Sequence, residues 1–307
     1  MSAATRPMRP RVDRWAPIVE GAFRLQAIAV YVFLFLPIAV VVVFSFNNTE
    51  RLAAVWQGFS LKWYQRALAD QNVQDALRTS LSIALANAVL ATAFGTMAAL
   101  GLQRVPRRVR VVFDALTYVS VIIPEIVIAL ATLVLFRTFS DTVNPVLATL
   151  AAAGQRAPVV RLGEWSIILA HVLFNLSLVL LLVRARLAGM DRTLVDASYD
   201  LFATPWRTFR QITFPQLLPA IVAGFLLSFT FSFDDYVISS FVSGSQTTLP
   251  LFVFSQTRQG VTPLTNAIAA LMLLVTFTVL VIGQWLLSRQ ARRTGARGTA
   301  PIGLMAE

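Results

Sequence analysis

The chain has 307 residues, of which 57% are hydrophobic and 13% charged, a balance far from that of soluble domains. It contains no cysteine, which excludes disulfide frameworks and thiolate metal sites. Its net charge of +11 would suit a nucleic-acid binder only on a soluble basic face; here the arginines fall between apolar runs, where they act as topology signals, so no nucleic-acid partner is expected.

A hydrocarbon core about 30 Å thick takes roughly 20 apolar residues at 1.5 Å rise each. Six stretches meet that requirement, at about 27–46, 76–101, 111–136, 166–183, 216–242 and 264–287. The fold class expected is an all-α integral membrane protein: six transmembrane helices over 27–287, flanked by a basic N-terminal segment, 1–26, and a disordered basic tail, 288–307. The first span follows a basic segment as a signal peptide would, but it is too long for an h-region and no small-residue cleavage site follows, so it is expected to stay. Segments 1–26, 102–110, 184–215 and 288–307 carry eighteen of the 26 Lys and Arg residues. That bias predicts that both termini are cytoplasmic.

The first outer connection, 47–75, holds Trp56, Trp63 and Tyr64, as interfacial segments do. Asp114 lies near the cytoplasmic end of the third span and is expected to pair with an arginine such as Arg110. Glu125, by its helical rise, stands about 20 Å above that end, directly after Pro124, whose ring opens the helical ladder. The second outer connection, 138–165, contains Gly and Pro and reads as a loop. His171 and Asn175 share one face of the fourth span, where helix packing is the default role and a proton relay or ligand the alternative. On the fifth span Asp234 and Asp235 reach about 27 Å by the same arithmetic. Adjacent helical positions point about 100° apart, so both acids can face one pathway only if the helix is interrupted or one lies near the interface.

Charges in a bilayer core are costly, which makes Glu125, Asp234 and Asp235 candidates for function. Two readings are open. The acids pair with Arg137 or Arg258 near the outer surface, or they line a route for a cation, replacing water around an ammonium group. Tyr236 could add an aromatic face, worth about 0.5–2 kcal/mol to a cation.

The connection between the fourth and fifth spans, 184–215, is too structured for a linker. Asp191 can cap a helix on which Leu194, Ala197 and Leu201 share one face. Thr204-Pro205 suits the start of a second helix carrying Trp206, Phe209 and Ile212. The pair reads either as amphipathic helices on the membrane surface or as a docking element for a cytoplasmic partner.

The run Asp196-Ala197-Ser198-Tyr199-Asp200-Leu201-Phe202-Ala203, with Phe209, Ile212, Pro215 and Pro219 downstream, resembles the EAA motif of ABC importer permeases, usually Glu-Ala-Ala-x-x-x-Gly-Ala with a following Ile-x-x-Pro-x-x-x-Pro. Asp196 takes the Glu place, and Phe202 stands where the family usually has Gly. Phe44-Ser45-Phe46-Asn47, Trp56-Gln57-Gly58-Phe59, Pro124-Glu125-Ile126-Val127 and the run from Ser228 to Phe241 are similar to the second permease subunit of spermidine/putrescine importers.

That resemblance implies a coupling-helix pair seated on a cytoplasmic ATPase through Asp196, Ala197, Ser198, Asp200, Leu201, Ala203, Phe209, Ile212 and Pro215. It also implies a second permease subunit, an extracytoplasmic solute-binding protein, a polyamine-like solute and a bacterial inner-membrane location. ATP and Mg would belong to the ATPase, with no cofactor on this chain. The only lysine is Lys62, so a phosphate-binding loop is excluded here. One histidine and no cysteine leave no common metal or nucleophile arrangement, so no catalytic residue is expected. The alternatives are a stand-alone ion-coupled carrier using Glu125 with Asp234 or Asp235, and ABC import of a different small solute.

Overall fold

The structure is a computed structural model, and it describes residues 16–50, 55–150 and 159–293. Among these residues six helical stretches are long and apolar enough to cross a membrane: Val19–Phe44, Gln71–Gly101, Glu125–Leu150, Glu164–Ala188, Pro205–Phe233 and Pro263–Arg289. No strand occurs among them, and the extended pairing is an isolated bridge between Asn47 and Phe59. Helices dominate because a backbone in hydrocarbon must satisfy its own hydrogen bonds.

The centre is a three-helix contact among α3 (Gln71–Gly101), α6 (Glu164–Ala188) and α9 (Phe214–Phe233). On α3 the buried stripe Ala84, Ala88, Ala91, Gly95 and Ala99 follows the helical repeat with small residues only. Small side chains let backbones approach closely, which drives helix association where neighbouring lipid is as apolar as the helices. Val179 of α6 sits in the resulting notch: a Cβ on Gly95 would lie 2.8 Å from its Cβ, and one on Gly224 of α9 would lie 3.2 Å from its Cγ1. By contrast α1 (Ala16–Phe44) is exposed along the turns that form its span, with Phe33 77% exposed, as a lipid-facing helix should be.

The segment after α1 is folded rather than loose. Asn47 accepts from the Gln57 N–H at 2.8 Å and donates to the Val55 carbonyl at 2.7 Å. Its own carbonyl accepts from Trp63 Nε1 at 2.8 Å, on the short helix α2 (Lys62–Ala69).

Several boundaries differ from those read in sequence. The third stretch, 111–136, is two helices, α4 (Arg107–Ile122) and α5 (Glu125–Leu150). Pro124 forces the residue before it out of the helical region, and Ile123 is extended at φ −60°, ψ 133°. The helix α5 then continues through Pro145 to Leu150, so half of the 138–165 connection is helical. The fifth stretch, 216–242, is also broken, into α9 and α10 (Val237–Val242). At its C-terminal end α6 runs to Ala188, past the expected start of the loop at 184. Beyond α11 (Leu249–Gln259), the helix α12 (Pro263–Arg293) occupies the first part of the expected tail. Residues 294–307 and 1–15 lie outside the described residues.

Asp114 pairs with Arg184 of α6 rather than with Arg110. Arg110 instead donates to the carbonyls of Leu102 at 3.0 Å and Gln103 at 3.1 Å, groups left open at the end of α3.

Because Gly95 touches the Val179 side chain and the Leu176 carbonyl at once, Gly95→Leu should destabilise the purified protein by about 1–3 kcal/mol. Thermal unfolding in detergent would register this as a lower midpoint, and an unchanged midpoint would refute the close-packing account.

Candidate functional site

Among the described residues, two helix breaks come together at one cavity of the bundle. Glu125 is the first residue of α5, exposed beside the Pro124 break. Asp234, Asp235 and Tyr236 fill the break between α9 and α10. A cavity of about 370 Å³ lies between them, lined by Glu125, Thr230, Phe231, Asp234, Asp235 and Tyr236, and closed below by Val237.

The two aspartates have different surroundings. Asp235 is 8% exposed and its carboxylate is fully engaged. Oδ2 accepts from the Ser239 N–H at 2.8 Å, from Ser239 Oγ at 2.9 Å and from His171 Nε2 at 3.0 Å, while Oδ1 accepts from the Ile238 N–H at 3.3 Å. Two of these donors are backbone groups in the first turn of α10, which has no partner for them within its own helix. Asp234 is exposed, with one contact, from Thr276 Oγ1 of α12 at 3.3 Å. Interruption of the helix is therefore what separates the roles: Asp235 holds the break, and Asp234 is open to the cavity. Glu125 lines the same cavity as Asp234 and Asp235, so carboxyls from two helices share one site. Such a pair repels unless a proton or a cation lies between its members.

Neither Arg137 nor Arg258 forms an ion pair with these acids among the described residues. Arg258 lies over the Phe254 ring at 4.9 Å, and Phe254 packs against Tyr236 with ring centroids 4.2 Å apart. The buried partner of the acids is His171, 2% exposed, whose Nδ1 stands 2.7 Å from Ser232 Oγ. Sequence spacing placed His171 on a packing face; the signal for its second role was its rarity as the single histidine in a membrane span. One turn below, Asn87 of α3 donates to the Ser228 carbonyl of α9 at 2.9 Å, so a polar contact also ties α9 to α3.

The connection between α6 and α9 holds α7 (Thr193–Asp200) and α8 (Pro205–Thr208). A π-turn over Phe209–Thr213 joins α8 to α9 without a gap, so Pro205–Phe233 is one helical run rather than a short helix followed by a span. Ser198 and Thr208 share a buried hydroxyl hydrogen bond of 2.6 Å that ties the two short helices together. Phe202 has φ 57° and ends α7 in a Schellman arrangement: its N–H reaches the Tyr199 carbonyl at 2.9 Å, and that of Ala203 reaches Ser198 at 3.0 Å. A left-handed residue at this point is why the motif usually has glycine there; phenylalanine carries a penalty of about 1–2 kcal/mol.

The residues named from the motif divide into two groups. Asp196, Ala197, Asp200 and Leu201 are exposed, whereas Ser198 is buried, and Ala203, Phe209, Ile212 and Pro215 are half-buried supports. Phe209 stacks between Trp206 at 5.6 Å and Phe214 at 6.0 Å. Phe202, 96% exposed, and Trp206, 69% exposed, join Leu201 as exposed apolar groups around the turn between α7 and α8. Exposed apolar groups clustered this way mark an interaction surface. Behind them a cavity of about 730 Å³ opens between the end of α3 and the loop, lined by residues that include Arg104, Met190, Asp196 and Tyr199.

Residues 91–295 match the family described as binding-protein-dependent transport system inner membrane component. The chain belongs to that family. It is 37% identical over 280 residues to the putrescine transport system permease protein PotI of Escherichia coli K12, covering 90% of this chain and 95% of that one. It is 35% identical over 262 residues to the spermidine/putrescine transport system permease protein PotC of the same organism, covering 85% and 91%. In fold it is similar to a chain of a bacterial ABC transporter that imports alginate, with TM-score 0.68, 12% identity, and 90% and 99% of the two chains covered. A chain of the MetNI methionine ABC transporter gives TM-score 0.54 at 15% identity, covering 72% of this chain and 99% of that one. The protein is thus a multi-pass inner-membrane permease component of the ABC type.

Phe202→Gly should relieve the left-handed strain and slow amide exchange in α7 by roughly fivefold, the equivalent of about 1 kcal/mol; exchange unchanged by the substitution would show that the strain is not stored in this helix end. The Asp191 carboxyl is held below the usual carboxylate range, chiefly by the Thr193 N–H that donates to it at 2.9 Å. Support from this turn is complete at neutral pH and disappears as pH falls through the depressed value, so α7 protection, corrected for intrinsic exchange, should drop below about pH 4. Asp191→Asn should make that protection less sensitive to pH.

Proposed function

We propose that this chain is one of two transmembrane subunits of an ATP-driven importer of polyamines, the diamine putrescine or the longer spermidine. The observation that carries this reading is that Glu125 and Asp234, at two separate helix breaks, line one cavity with Phe231 and Tyr236. Carboxylates replace the water that a primary ammonium loses on entering a low-dielectric site, and aromatic faces accept both its charge and its methylene chain. The names of the relatives PotI and PotC, which cover most of this chain, favour the same solute class.

In this reading both termini are cytoplasmic, in keeping with the arginine bias of the loops. A solute-binding protein outside the membrane delivers the polyamine, and a second permease subunit completes the pathway. ATP and Mg are held by a separate ATPase, which docks on Leu201, Phe202 and Trp206 with Asp196 and Asp200 beside them. Closure of the ATPase on ATP moves α7 and α8. Because α8, the π-turn and α9 are one helical run, that movement is delivered along α9 to the break at Asp234. The carboxylates lose their outward cavity as the pathway opens inward, and the cation is released to the cytoplasm by alternating access.

Uptake of labelled putrescine and spermidine into vesicles tests this directly, with the chain, its sister permease, the ATPase and the binding protein assembled together. Uptake should require ATP and every partner. Glu125→Gln and Asp234→Asn should each raise the half-saturating concentration about tenfold, the value of one charged hydrogen bond. Asp196→Arg should leave ATP hydrolysis running without uptake. Transport by this chain alone, driven by an ion gradient, would overturn the reading in favour of a carrier.

A further inference from the structure

His171 is a buried titratable group that the proposed import cycle does not use. It belongs to α6, whereas both its nitrogens contact the other side of the helix break: Nδ1 meets Ser232 in the last turn of α9, and Nε2 meets Asp235 in the break itself. Ser239 Oγ, in the first turn of α10, lies 3.4 Å from the same Nε2. The imidazole therefore straddles the interruption and joins its two ends. A neutral ring serves this geometry without an unpaired nitrogen, Nε2–H donating to Asp235 while Nδ1 accepts from the Ser232 hydroxyl. The same helix also holds the far end of α10, where Ser166 Oγ donates to the Val242 carbonyl at 2.7 Å.

We propose that His171 is a positioning residue for the solute site: it holds the Asp235 carboxylate in the break between α9 and α10, so that Asp234 and Tyr236 face the cavity. The alternative for a buried histidine, passive packing, does not call for both nitrogens to engage opposite ends of one interruption. No glycine or proline stops α9 from running on into α10 within residues 232–238, Ser-Phe-Asp-Asp-Tyr-Val-Ile, so the break depends on how the Asp235 cap is held. A continuous helix would turn Asp234 and Asp235 about 100° apart and carry one of them away from Glu125. As a statement about transport the inference rests on the polyamine reading above; as a statement about geometry it does not.

The absence of cysteine makes the geometry measurable, because an introduced thiol is the only one on this chain. In the assembled transporter, Asp234→Cys should react with a membrane-impermeant methanethiosulfonate. Adding His171→Leu should slow that reaction about tenfold, the effect of leaving buried partners without their hydrogen bonds. His171→Gln, whose amide can donate to Asp235 and accept from Ser232, should restore the rate to within roughly threefold. Ser255→Cys, exposed on α11, should label alike in all backgrounds and reports intact assembly. Should the leucine variant not assemble, His171→Asn, polar but too short to reach Asp235, is read in its place. An Asp234→Cys rate indifferent to the loss of His171 would overturn the proposal. In chains with Asp234 intact, His171→Leu should raise the half-saturating putrescine concentration more than it lowers the maximal rate, with rescue by glutamine. If the parent transports no polyamine while the labelling pattern holds, the substrate reading fails and the positioning role stands.

Discussion

Inside a hydrocarbon slab, backbone that leaves the helical ladder must find its hydrogen bonds elsewhere, and this constraint organises the end of the bundle that holds the three acids. Among the described residues two interruptions meet there. The one at Pro124 follows from a missing N–H and a steric clash, so it is intrinsic to the chain. The one at Asp234–Tyr236 has no such cause and is held by side chains: Asp235 caps α10, and His171 reaches across from α6 to hold Asp235. A carboxylate capping a helix start also meets the positive end of the helix dipole, so the structural role and the charge reinforce one another. The cost of burying that carboxylate is offset by its four hydrogen bonds, which leaves the exposed Asp234 and Glu125 as the groups open to a ligand.

The same economy of side chains governs the packing below. Val179 between Gly95 and Gly224 brings three backbones close without large side chains, and the polar contact of Asn87 with Ser228 lies in the same three-helix centre. A centre built this way transmits displacement rather than absorbing it, because close-packed interiors have little compressibility. The unbroken run from α8 through the π-turn into α9 extends that stiffness to the surface formed by α7 and α8. Phe202 shows the opposite compromise: a strained left-handed phenylalanine, nearly wholly exposed, persists at a helix end where glycine would be unstrained. Its ring adds to the exposed apolar groups Leu201 and Trp206, so strain is retained at the surface where the proposed ATPase would dock.

What the sequence by itself determined is whatever depends on neighbours along the chain. Apolar runs of about 20 residues mark the spans, the Pro124 break follows from one ring, and Asp191 and Thr204-Pro205 mark helix starts. Boundaries failed where local signals were ambiguous: Pro145 reads as a loop residue yet sits inside α5, and the 216–242 stretch reads as one span because it is continuously apolar up to two adjacent acids. Only the tertiary structure decided which aspartate is a cap and which is open, that Asp114 meets Arg184, and that Arg258 rests on Phe254 instead of on an acid. The physical reason is separation along the chain. His171 and Asp235 are 64 residues apart, and a charge buried in a membrane takes whichever partner the packing of distant helices brings to it.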